Sequence, residues 1–206
     1  NMGHKVKVLS FHSKKHPCKL ENLPQEYKDE TNFETVFVDL DIKPLPALTA
    51  WLTGESYHVK RFINQQMKNK LAEILRKEEF DIVQMESIFL TPYVPLVRKL
   101  SKAKIVLRSP NVENMIWKRT YKATKNPLKR YYLKHLALTL EYYEKENINQ
   151  YDAIFPVTDV DASYFIENGY RKLCKAVAVG IETPEFIPDV LEEENSIFHI
   201  GSMNWF

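Results

Sequence analysis

Arginine, serine, asparagine and glutamate arrive together in the run Lys104–Arg119, KIVLRSPNVENMIWKR, directly after the apolar triplet Ile105, Val106 and Leu107. Such a triplet reads as a strand that a parallel sheet buries on both faces. Arg108, Ser109, Pro110, Asn111 and Glu113 fall where that strand must end, and open α/β sheets bind ligands just outside the carboxyl ends of their strands. Other expected strand ends carry polar groups too: His12 and Ser13, Glu86 and Ser87, Thr158 and Asp159, and Gly180 to Glu182. Parallel strands all point one way, so these ends should share one edge. A guanidinium among hydroxyls and carboxylates suits a sugar or a phosphate-bearing ligand. Each residue also has a plainer reading. Asn111 and Asp159 suit helix caps, and Arg108 with Glu86 or Glu113 suits a structural salt bridge.

The elements that would position these groups alternate between strand and helix. Lys5–Phe11 (KVKVLSF), Glu34–Leu40 (ETVFVDL), Phe80–Met85 (FDIVQM), Lys104–Arg108, Tyr151–Val157 (YDAIFPV) and Lys175–Val179 read as strands. Between Phe11 and Glu34 the chain is polar, is broken by Pro17 and Pro24, and shows no helical stripe. A helix and a strand therefore look missing near residues 13–15, because parallel strands need a crossover. Pro44 and Pro46 mark a loop. The clearest helix spans Ser56–Lys77, with Val59, Phe62, Ile63, Met67, Leu71, Ile74 and Leu75 on one side. A short helix is expected at Thr91–Leu100, one at Asn111–Ala123 capped by Asn111, and a long one from Asn126 to about Asn149. Asp159 or Asp161 should cap a further helix that Gly169 closes. About six or seven strands in this alternation predict an α/β fold with a doubly wound, Rossmann-like parallel sheet. Residues 1–182 would form this domain and 183–195 a linker rich in proline and glutamate. Residues 196–206 would be the first strand of a second domain.

Composition excludes several classes. The chain has 206 residues, 44% apolar and 27% charged, with a net charge of +2 and pI near 8.4. A domain devoted to nucleic acid would be more basic. Lys118, Arg119, Lys122, Lys125, Lys129, Arg130 and Lys134 do form a basic stretch, readable as a solvated helix face or as contact with phosphates or an anionic membrane. Cys18 and Cys174 have no partner spacing, which argues for a reducing compartment and against a zinc site, and no metal is expected. No apolar run approaches the roughly 18 residues of a membrane span. No secretory signal appears, and Asn1 to His4 reads as a start methionine behind one extra residue. The expected location is therefore cytoplasmic, peripheral to the membrane's inner face if the basic stretch meets lipid. The phosphate-cradling G-x-G-x-x-G and G-x-x-x-x-G-K-[ST] patterns and the G-x-S-x-G nucleophile elbow do not occur.

Six segments in order, FDIVQMES, IVLRSPNVENMIWKR, a tyrosine-rich helix, YDAIFPVTDVDASYF, AVAVGIETPEF and SIFHIGSMNWF, resemble the glycosyltransferases of family 4. The resemblance covers nearly all of residues 80–206 and implies the N-terminal half of a two-Rossmann GT-B enzyme. It also implies retaining transfer of a hexose from a nucleotide-sugar to a carbohydrate or lipid-linked acceptor, in polysaccharide or glycolipid assembly, without a cofactor. On this resemblance Glu86, Ser87, Arg108, Ser109, Asn111, Glu113, Thr158 and Asp159 would bind acceptor, and Gly180, Glu182 and Gly201 would line the interdomain cleft. The nucleotide-sugar would be held by the C-terminal half, and the present chain alone would be inactive. The sequence departs from the family's R-x-H-N-x-E pattern at Pro110, which stands in the histidine position; His12 is a candidate substitute. It also lacks the glycine-rich turn after the first strand. A non-catalytic GT-B-like scaffold binding sugar or protein, and a GT-B sugar-nucleotide epimerase, are the competing expectations.

Overall fold

The computed structural model describes residues 3–180. The expected linker at 183–195, the strand at 196–206, and Glu182 and Gly201 lie outside the described residues. The chain runs β1 (Leu9–His12), α1 (Gln25–Thr31), β2 (Glu34–Phe37), α2 (Pro44–Thr53), α3 (Tyr57–Lys60), α4 (Gln65–Lys77) and β3 (Ile82–Met85). It continues through α5 (Val94–Leu100), β4 (Lys104–Ser109), α6 (Glu113–Ala123), α7 (Pro127–Asn147), β5 (Ala153–Pro156), α8 (Asp159–Glu167) and β6 (Leu173–Cys174). Short 3-10 turns at Leu20–Asn22, Ile88–Tyr93 and Ile148–Gln150 complete the set.

Every strand pairing among the described residues is parallel, so the α/β class expected from the alternation stands. The single continuous sheet does not. Among the described residues β1 pairs only with β2, and a separate sheet has the order β3-β4-β5-β6. β4 is the centre of the core. Ile105 and Leu107 are fully buried in the main apolar cluster with Val97, Ile154 and Phe165, and Val106, pointing the opposite way, is buried as well. Each such side chain stabilises the fold by roughly 1.5–3 kcal/mol. A second cluster joins Ala50 of α2 and Tyr57 of α3 to Leu133 and Leu136 of α7, with Trp117 and Tyr121 of α6 against it.

Several elements differ from expectation for identifiable reasons. The crossover between β1 and β2 contains its own helix, α1, too short to display a stripe. It ends at Asn32 in the left-handed region, φ 42°. The prolines read as a loop instead open α2, since the first turn needs no N–H from Pro44 or Pro46. The helix expected over Ser56–Lys77 is two. α3 closes at Arg61, and Asn64, which is extended and whose side chain accepts from Met67 N at 3.0 Å, caps α4. Ile63 is consequently half exposed rather than in the stripe. β6 lies earlier, at Leu173–Cys174, than the expected 175–179. Hydrogen bonds from Lys175 N to Ile154 O (3.2 Å) and Val177 N to Pro156 O (2.7 Å) carry the chain further along β5.

Candidate functional site

The strands deliver their carboxyl ends to one edge. Met85 lies opposite Leu107, and Ser109 opposite Pro156, so Glu86, Arg108 and the Thr158 turn follow one another across the sheet. Arg108 donates through Nη1 to Glu86 Oε2 at 2.9 Å, with both side chains partly in solvent, 34% and 54% exposed. Such a pair contributes about 0–1 kcal/mol to stability and leaves most of the guanidinium's donors for another partner.

Three predicted residues are occupied by local structure. Ser87 Oγ accepts from Phe89 N (3.3 Å), Ser109 Oγ donates to Asn111 O (2.7 Å), and Thr158 Oγ1 accepts from Asp161 N (3.1 Å). Thr158, not Asp159 or Asp161, is the cap of α8; it also donates to Asp161 Oδ2 at 2.9 Å. Asn111 is not the cap of α6. Val112 holds that position without a side-chain hydrogen bond, and the Asn111 side chain stands exposed beside Arg108's strand end. Asp159 is exposed in the first turn of α8. Glu113 opens α6 half-buried, and burial pushes its carboxyl upward. His12 ends β1, with its Nδ1 against the Thr35 hydroxyl and its ring edge-on to Phe37 at 5.5 Å. It belongs to the smaller sheet and is not hydrogen-bonded to the Glu86–Arg108 pair. Gly180 is exposed at the end of the described residues. Among the described residues no group of three His, Cys, Asp or Glu is placed to hold a metal ion, and Cys18 and Cys174 are free thiols.

Behind the edge lies a polar network that sequence reasoning missed. Glu144 of α7 is buried and accepts from both the backbone N (3.3 Å) and the side-chain Nδ2 of Asn114, which also donates to Tyr164 Oη at 2.7 Å. Burial raises the Glu144 carboxyl to about 7, Asn114's donors oppose the rise, and nearby Glu113 adds to it. The signal was present in the sequence: Leu133, Leu136, Leu140 and Glu144 follow one helical stripe, so the glutamate occupies an apolar position. His58 was missed as well. It is buried with its ring 4.0 Å from Trp117, and burial, with Arg61 beside it, lowers it to about 3.

Compared with known proteins, the chain matches no family model, no curated protein and no solved structure.

Proposed function

We propose that the complete polypeptide is a retaining glycosyltransferase resembling family 4, with residues 1–182 as the acceptor-binding half of a GT-B architecture. The observation that supports this reading is the Glu86–Arg108 pair at a shared strand edge. The N-terminal ends of α6 and α8 follow the adjoining strands β4 and β5. Helix N-termini favour anions, and a guanidinium with spare donors grips phosphate or sugar oxygens. Exposed Asn111 and Asp159 offer further polar groups to acceptor hydroxyls. In this reading the donor is a nucleotide-sugar held by the opposite half, which neutralises the departing diphosphate while the acceptor hydroxyl attacks the anomeric carbon. Closing the halves excludes water from that carbon.

The decisive experiment incubates the complete polypeptide with UDP- and GDP-sugars and a panel of lipid-linked acceptors, and follows nucleotide release. Acceptor-dependent release is expected. Sugar binding with no release from any donor would overturn the transferase reading in favour of the scaffold that Pro110 brings to mind, and epimerised nucleotide-sugar would favour the epimerase.

A lipid-linked acceptor also fits the surface around α7. Arg119, Lys122, Lys125, Lys129, Arg130 and Lys134 are exposed, whereas Lys118 is tied to Glu141 at 2.8 Å. Leu128 is 83% exposed among them, and α2, whose Trp51 ring meets His135 of α7 at 6.2 Å, exposes Leu45 and Leu52. Basic groups around apolar side chains suit an anionic bilayer surface. No helix among the described residues is long and apolar enough to cross a membrane, so such contact would be peripheral. Co-sedimentation with vesicles containing phosphatidylglycerol is expected, and little with phosphatidylcholine alone. Reversing Lys125, Lys129 and Arg130 to Glu should weaken it on the order of a hundredfold or more, at about 1 kcal/mol per charge. Equal binding to both vesicles would remove this surface from the proposal.

A further inference from the structure

The two sheets face each other across a groove of about 560 Å³, walled by residues 5–11 on one side and 82–86 on the other. Its lining includes Met67, Leu71, Ile74 and Leu75 of α4, an apolar helix face. β1 and β3, which form the walls, are not hydrogen-bonded to each other.

Among the described residues both walls are strand edges with no ladder on the groove side, and Phe11 O accepts only from the neighbouring Ser10 Oγ at 3.1 Å. Val8 N donates to Thr31 O, Val8 O accepts from Glu34 N, and His12 O accepts from Val38 N. Residues 8, 10 and 12 therefore turn their peptide groups toward β2. Alternation in a parallel ladder turns those of Leu9 and Phe11 toward the groove. On the other wall Asp81 O accepts from Lys104 N, so 81, 83 and 85 face β4, and the peptide groups of Ile82 and Gln84 face the groove. Two unpaired edges above an apolar floor form a seat for one more strand.

Chain order says which strand. From the groove outward, the chain proceeds β1 to β2 on one side and β3, β4, β5, β6 on the other. Doubly wound sheets begin in the middle, wind to one edge, return and wind to the other, in the order 3-2-1-4-5-6. The observed order matches when the vacant position is filled by a strand preceding β1. Its carboxyl end would lie beside Glu86, which lines the groove's end, at the switch point where such sheets bind ligands.

We propose that this groove seats a parallel β-strand supplied by polypeptide preceding residue 1 of the complete protein, joining the two sheets into one. The proposal is independent of the sugar-transfer reading. Its test compares the 206-residue chain with the same chain extended by the residues its gene encodes upstream, using NMR-detected amide exchange. In the extended chain the amides of Leu9, Phe11, Ile82 and Gln84 should exchange about a hundredfold more slowly. Gln84→Pro, which removes the backbone donor facing the groove and the exposed side-chain hydrogen bond to Glu86 but no ladder bond to β4, should abolish that gain at β3 and leave the β3–β4 ladder of the shorter chain intact. Val83→Pro, which removes a donor to β4, should destabilise both. A gene with no upstream residues, or unchanged exchange on extension, would overturn the proposal. So would protection already present in a dimer of the shorter chain, detected by sedimentation, since a second copy would then fill the groove.

Discussion

Glu144→Gln should convert a nearly flat stability profile between about pH 4.5 and 6.5 into one that falls as the solution becomes more acidic. Burial moves groups in opposite directions there, Glu144 and Glu113 upward and His58 and His135 downward, and Glu144 and His58 carry the large shifts. Burial raises the Glu144 carboxyl from 4.5 to about 7. Between those values the denatured chain releases a proton that the folded protein retains, so stability declines as pH rises. Burial and Arg61 lower His58 from 6.5 to about 3. Between those values the denatured chain accepts a proton that the folded protein refuses, so stability declines as pH falls. Each slope is about 1.4 kcal/mol per pH unit, and the two offset one another where they overlap. The glutamine keeps the shape and the hydrogen-bonding oxygen but does not titrate. The variant should therefore lose about 3 kcal/mol on going from pH 6.5 to 4.5, while the parent changes little. At pH 8 it should exceed the parent by a similar amount, since no desolvated carboxylate remains. Urea midpoints across this range measure it. A variant profile as flat as the parent's would mean that Glu144 does not titrate in the folded protein as its burial dictates.

Arg108→Ala in the complete polypeptide should lower acceptor-dependent transfer about 10- to 150-fold while leaving the melting temperature within a few degrees. The first figure is the loss of one charged hydrogen-bonding partner, about 1.5–3 kcal/mol. The second follows because the bond to Glu86 is half in solvent and contributes about 1 kcal/mol at most. Arg108→Lys should recover part of the binding but not the forked geometry. Glu86→Ala should reduce transfer less if its role is to aim the guanidinium, and as much if it also contacts acceptor. Steady-state kinetics beside thermal denaturation separate the cases. Parallel losses of melting temperature and activity would make the pair structural.

The part of the fold written in local pattern was readable. Ile105 to Leu107 announced a doubly buried strand, and Asn126-Pro127 announced the start of α7, where Asn126 accepts from Lys129 N at 3.0 Å. The edge carrying Glu86 and Arg108 followed from parallelism alone. What escaped reading depends on tertiary partners. Asn64 looks like an ordinary interior helix residue until its backbone N is seen to donate to Tyr93 Oη at 2.9 Å and its Nδ2 to Phe37 O at 2.9 Å. Pro44 and Pro46 read as a loop in sequence, which does not show that the Tyr57 hydroxyl, fourteen residues on, accepts from Lys43 N at 2.8 Å just before the helix they open. Ser87, Ser109 and Thr158 had the right chemistry for ligand contact, but each met a backbone partner within three residues. Sequence could not show which hydroxyls remained free.

The attachments of the β1–β2 pair carry a consequence for how the molecule breathes. Among the described residues no ladder joins it to the larger sheet. Polar links hold it instead: Asn64 to Phe37 O, Arg61 Nη1 to Leu40 O at 3.0 Å, and Lys70 to Glu34 at 2.5 Å. These sit beside apolar packing of Leu9 and Phe11 against the main cluster. Links of this kind yield singly, whereas a ladder resists as a unit. In the 206-residue chain amide exchange is therefore expected to be faster in β1 and β2, where Val36 alone anchors the pair within the buried core cluster, than in β4. His12 travels with that pair and Arg108 does not. In the 206-residue chain the spacing between these two ends is thus an adjustable coordinate, and a strand seated in the groove would fix it.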